Sequence, residues 1–99
     1  MEVRPMQLEC GTVIGVVVDL PQTRLLSINT ARGYITCGAL DVQVVDRVHP
    51  ERDVIAARIF KVRTLEDLLA GRVESSTRKA QELGIVAGIT GAEALARMM

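Results

Sequence analysis

Aromatic residues are nearly missing from this 99-residue chain, which holds one Phe, one Tyr and no Trp. That excludes a base-stacking platform for single-stranded nucleic acid and leaves Val, Ile, Leu and Ala to build the core. An excess of charge of one sign is missing too. Twelve basic residues balance twelve acidic ones, so neither a polybasic membrane anchor nor a nucleic-acid binder driven by phosphate neutralisation is expected. Cysteine is scarce: Cys10 and Cys37 form no C-x-x-C pair, and a disulfide framework or a cysteine zinc site needs more ligands at tighter spacing. His49 is the single histidine and has no acidic cluster nearby. No metal and no cofactor are therefore expected. Long apolar runs are absent as well; Val16, Val17 and Val18, with Val13 and Ile14 just before them, are far too few to span a bilayer. The first ten residues lack the apolar stretch and small-residue cleavage site of a secretory signal. The expectation is a reduced, cytoplasmic protein with no membrane or nucleic-acid partner.

What is present is aliphatic. Hydrophobic residues make up 48% of the chain, enough to exclude a disordered segment. No repeat, low-complexity tract or linker divides it, so residues 1–99 read as a single domain. The front half is strand-rich and the back half helix-rich, the pattern of an α+β protein. Strands are expected at 3–8 (at an edge, because Pro5 interrupts it), 12–20, 24–30 and 34–37, with turns at Gly11, at Pro21-Gln22-Thr23 and at Ala31-Arg32-Gly33, where Gly33 is free to take positive φ. Residues 38–48 carry apolar positions at helical spacing and are expected to form a helix that His49-Pro50 ends. A fifth strand is expected at 54–62. Helices follow at 65–69, opened by Thr64 with Asp67 three residues on, and at 73–83, closed by Gly84. A last helix runs from Thr90-Gly91-Ala92-Glu93 towards the C-terminus. The expected order is ββββαβααα: an antiparallel or mixed sheet of about five strands packed with three to four helices.

The second strand is unusual. Thr12, Ile14, Val16, Val18 and Leu20 fall on one face, and Val13, Gly15 and Val17 on the other. Both faces are largely apolar, whereas an antiparallel strand with one wet face alternates cleanly. The strand is expected to be central and covered twice, with a second copy of the chain as the plausible second cover.

Candidate functional residues are few. Cys37-Gly38 lies where a strand hands over to a helix, where unsatisfied backbone N–H groups favour a thiolate, and Asp41 could orient a ligand there. A free cysteine is also one of the most buried residue types and behaves as a small hydrophobe. A nucleophile moreover needs a base, and nothing ties His49 to Cys37, so the structural role is preferred. Arg58 interrupts an apolar strand and could clamp a carboxylate or phosphate; pairing with an internal acid or facing water is preferred. Arg63 presents the same choice at a strand end. The run Gly84-Ile85-Val86-Ala87-Gly88-Ile89-Thr90-Gly91 matches no phosphate-loop pattern and lacks the lysine, so its glycines are read as a helix stop, a turn and a helix start.

The segment Gly33-Tyr34-Ile35-Thr36-Cys37-Gly38-Ala39-Leu40-Asp41-Val42 resembles the G-Y-[IV]-x-C-G-x-L-D segment of the YunC-like family, small prokaryotic proteins grouped as a domain of unknown function. The resemblance continues through Val62-Arg63-Thr64-Leu65-Glu66-Asp67-Leu68-Leu69 and resumes at Glu74-Ser75, Leu83-Gly84-Ile85 and Glu93-Ala94-Leu95. Thr36 stands where many relatives are expected to carry Met. The resemblance implies a compact α+β domain and a helix at Leu40. It brings no established activity, substrate or cofactor, and it singles out Tyr34, Cys37, Gly38, Leu40 and Asp41. The leading expectation is a self-associating binding or structural module, a dimer by preference. The alternative is a small thiol-dependent enzyme or ligand-binding protein, with Cys37 and Asp41 as the catalytic candidates and Tyr34, Gly38, Arg58 and Arg63 as the ligand-binding ones.

Overall fold

The computed structural model describes residues 1–38, 42, 47–48 and 50–99. Six strands form one sheet whose spatial order is the order of the sequence: β1 (Glu2–Leu8), β2 (Gly11–Leu20), β3 (Thr23–Asn29), β4 (Gly33–Cys37), β5 (Ile55–Ile59) and β6 (Val73–Ser76). All neighbours are antiparallel except β4 and β5, which run parallel. The α-helices described within single spans are α1 (Leu65–Ala70), α2 (Arg78–Glu82) and α3 (Gly91–Met98); Val42, Arg47 and Val48 are also helical, and Pro50–Arg52 make a 3-10 turn. Gly38, the expected start of the 38–48 helix, is a turn residue; residues 39–41 and 43–46 of that helix, Asp41 among them, and His49 lie outside the described residues. The α+β architecture is as expected, with one strand more.

The front of the sheet follows from local chemistry. Leu8 pairs with Gly11 and Leu20 with Thr23, so β1–β2 and β2–β3 are hairpins with two-residue turns, Glu9-Cys10 and Pro21-Gln22. Pro21 presets its own φ for the turn, and Gln22 takes the left-handed conformation at φ 61. Strand β1, which carries Pro5, sits at the sheet edge as expected. Two expectations need correction. Gly33 does not take positive φ. It opens β4 against β5, where a Cβ would lie 2.2 Å from the carbonyl oxygen of Ile55, so close backbone approach is what demands glycine. The helix expected at 73–83 is a strand in its first part: Val73–Ser76 pairs with β5, and only Arg78–Glu82 is α-helical. Strand β5 has an open edge there, and a strand satisfies its ladder as a helix cannot. Thr77 marks the switch. Its Oγ1 accepts from Ala80 N–H at 3.4 Å and Ala56 N–H at 3.2 Å and donates to the Val54 carbonyl, so one side chain caps the helix and ties it to β5.

The remaining helix boundaries agree with their signals. Thr64 with Asp67, and Thr90 with Glu93, form reciprocal capping boxes. Gly84 has φ +84; its N–H donates to the Gln81 carbonyl and that of Ile85 to the Ala80 carbonyl, the bond pair of a Schellman stop. Gly88 turns at φ +102 and Gly91 starts α3, so the glycine-rich run is structural punctuation.

The helices cover one face of the sheet. Val13 and Val17 of β2, Leu26 and Ile28 of β3, Ile35 and Cys37 of β4 and Ile59 of β5 pack with Leu65, Leu68, Ala94, Leu95 and Met98 in one cluster. Each fully buried Leu, Ile or Val contributes about 1.5–3 kcal/mol. The other face divides in two. Over β4 and β5, Thr36 and Ala56 have no exposure. Over β1 to β3 the apolar residues stay open: Val3 is 57% exposed, Leu20 46% and Ile14 38%. Strand β2 is internal to the sheet, but among the described residues the helices pack on only one of its faces.

Candidate functional site

The parallel β4–β5 pair sets the geometry, since parallel strands deliver their last residues to the same end of the sheet. Cys37 ends β4 on the helix-covered face, with 4% exposure and a place in the core cluster. Its Sγ accepts from Leu26 N–H at 3.3 Å and, as S–H donor, lies 3.8 Å from the Arg24 carbonyl oxygen. Tyr34 and Arg58 belong to the opposite face, because they pair in register with Ala56 and Thr36. The chain thus does not place Cys37 on the face that carries Tyr34 and Arg58. Tyr34 is half-buried, and desolvation pushes its hydroxyl pKa up. Arg58 forms an ion pair with Glu74 of β6, Nε to Oε2 at 3.2 Å, and its guanidinium carbon stands 4.7 Å above the centre of the Phe60 ring. That ring fills the space beside Gly38, where a Cβ would meet it at 2.6 Å. Gly38, Phe60, Arg58 and Glu74 therefore form one stack. Glu74 could not be seen as the acid from the sequence, because residues 73–83 read there as a helix.

Arg63 lies elsewhere, in the exposed loop between β5 and α1. Its carbonyl oxygen accepts from Arg24 Nη1 at 3.3 Å, while Arg24 Nε donates to Asp19 Oδ1 at 2.7 Å. Thr23, Arg24, Val62 and Arg63 line a crevice of about 360 Å³. Its nearby carboxylates are already engaged. Asp19 pairs with Arg24, and Asp67 Oδ2 accepts from the backbone N–H groups of Arg63 and Thr64. The Arg63 amide in particular, with the Thr64 contacts, holds the Asp67 carboxyl below its ordinary range. The role of Arg24 was not legible in the sequence, where it reads as a hairpin residue 39 positions from Arg63. Among the described residues no group of three His, Cys, Asp or Glu side chains converges as a metal site.

The open face of β1 to β3 has its own chemistry. Register places Val3, Pro5 and Gln7 of β1 beside Val16, Ile14 and Thr12 of β2, and Val18 and Leu20 beside Leu25 and Thr23 of β3. The charged residues of these strands, Glu2, Arg4, Asp19 and Arg24, all fall in the register of the opposite face. There Arg4 pairs with Glu66 of α1, and Arg24 with Asp19.

A sequential six-stranded mixed sheet with helices on one face, and an open apolar stretch over β1 to β3 on the other, defines a small α+β protein. Residues 36–98 match the family model described as a domain of unknown function, DUF1805, and the chain belongs to that family. It is 41% identical over 95 residues to the uncharacterized protein YunC of Bacillus subtilis (strain 168), covering 96% of this chain and 94% of that protein. The fold is similar to the crystal structure of a protein of unknown function, TA1206, from Thermoplasma acidophilum, with a TM-score of 0.88 and 26% identity over 99% of this chain and 92% of that one. Among the described residues no helix is long and apolar enough to cross a membrane.

Proposed function

We propose that this protein is a self-associating module: a homodimer in which the open face of β1 to β3 packs on the same face of a second copy. The observation that carries the reading is the distribution of charge. An antiparallel sheet face meant for water carries its polar and charged residues outward. Here the four charged side chains of β1, β2 and β3 are turned to the helix side, and the open face presents Val3, Ile14, Val16, Val18, Leu20 and Leu25 with neutral polar residues around them. A face without net charge meets its own copy with no like-charge repulsion, as a two-fold interface requires. Pro5 in the edge strand removes a backbone donor, which disfavours edge-to-edge pairing and leaves the face as the contact.

The thiol-dependent alternative has less support. Cys37 packs in the aliphatic core cluster, and among the described residues its Sγ hydrogen bonds are to the backbone of Leu26 and Arg24. Sedimentation equilibrium at micromolar concentration tests the dimer: twice the 10.8 kDa chain mass is expected. A mass of one chain overturns it.

A further inference from the structure

We propose a site for a small oxyanion, a carboxylate or phosphate group, in the crevice lined by Thr23, Arg24, Val62 and Arg63. The crevice lies outside the carboxyl end of β5 and against the start of β3, whose Arg24 carbonyl meets the last residue of β4. Ligands of open sheets that contain parallel strands gather at such ends, where the chain leaves for the next element. The two cations there differ in state. Arg24 is held by two bonds, to Asp19 and to the Arg63 carbonyl, and these leave part of its planar fork of donors for a ligand. The Arg63 guanidinium makes no ion pair with a described residue; its charge acts on Asp67 of α1 from beyond ion-pair distance, and that carboxylate is bonded by the backbone N–H groups of Arg63 and Thr64. Arg24 binds the loop through the Arg63 backbone, so it fixes the position from which the Arg63 side chain reaches. Two arginines lining a crevice of about 360 Å³ suit a group the size of phosphate or a short carboxylate.

The test is a titration of the ¹⁵N-labelled protein with inorganic phosphate and, separately, with malonate, against sodium chloride at equal ionic strength. Saturable shifts at the amides of residues 23–25 and 62–64 are expected for at least one of the two anions. Arg63→Ala is expected to weaken that binding by about tenfold, the loss of one charge-assisted contact. Arg24→Lys, which keeps the charge and loses the fork, is expected to weaken it less. Arg52→Ala, an exposed change of the same charge on the 3-10 turn, is expected to leave it unchanged and to control for net charge. Saturation by phosphate alone or by malonate alone identifies the ligand group. Shifts that rise linearly with every salt, or equal binding in Arg63→Ala and the parent, overturn the proposal. The readout is independent of chain mass, so failure here leaves the dimer standing, and the reverse.

Discussion

One sheet face behaves in two ways. Over β4 and β5 it is closed and tolerates a polar residue: Thr36, with no exposure, donates its hydroxyl to the Leu26 carbonyl at 2.9 Å. Over β1 to β3 it is open and presents Val3, Ile14, Val16, Val18, Leu20 and Leu25 among neutral polar residues. The difference reverses the usual arrangement, in which polar groups go to water and apolar ones inside. It teaches that burial within the chain is possible for a hydroxyl wherever a neighbouring strand supplies an acceptor. The apolar half needs no such partner and gains only by being covered.

The sharpest way to break this comparison uses adjacent valines. Val17 points to the helices and is 8% exposed, while Val16 points to the open face. Val17→Glu places an unpaired carboxylate in the core and should cost more than about 4 kcal/mol, abolishing the cooperative thermal transition. Val16→Glu should leave the far-ultraviolet circular dichroism intact and lower the sedimenting mass from two chains to one; an unchanged two-chain mass would sink the proposed interface. Next in size is a contrast of thiols. Cys10, half-exposed in the β1–β2 turn, should alkylate within minutes under native conditions, and Cys37, buried in the core, only as fast as the protein opens. A Cys37 that reacts at neutral pH faster than a model thiol would restore the catalytic reading.

A smaller effect is expected in the closed half. Thr36→Val keeps the shape but removes the bond to Leu26, and should lower stability by about 1 kcal/mol in urea denaturation. The smallest concerns Tyr34, whose hydroxyl pKa is raised by desolvation. Because its folded value exceeds the unfolded one, the stability it contributes is present below the ordinary tyrosine value of about 10 and is lost as pH rises through the folded value. Tyr34→Phe should therefore flatten the alkaline end of the stability curve; a curve that keeps its alkaline fall would assign that fall to other groups.

Much of the front of the molecule is legible in the residues. The hairpins follow from Pro21 and from the strand runs beside it, the edge position of β1 from Pro5, and the ends of α1 and α3 from Thr64, Asp67, Thr90 and Glu93. The described part of the signature segment also lies where expected, with Tyr34 and Cys37 on β4 and Gly38 just after. The candidate site is another matter. Tyr34, Cys37 and Arg58 are close in the sheet but divided between its faces, and Arg63 joins Arg24 rather than any of them.

Val73 to Ser76 shows why. Val73, Thr77 and Ala80 have helical spacing, and the sequence alone offers no sign that β5 lacks a partner on that side. The cluster Ser75-Ser76-Thr77, poor in helix formers, was the available hint. What the sequence determined by itself is whatever is settled within a few residues: turns, caps, the aliphatic core and the apolar excess on both sides of β2. Only the tertiary structure decided that Gly33 makes room for the Ile55 carbonyl, that Glu74 meets Arg58, and that Arg24 meets the Arg63 loop. The physical reason is range. Caps and turns close over three or four residues, whereas a sheet edge takes its partner, and a crevice its second wall, from residues 16 to 39 positions away.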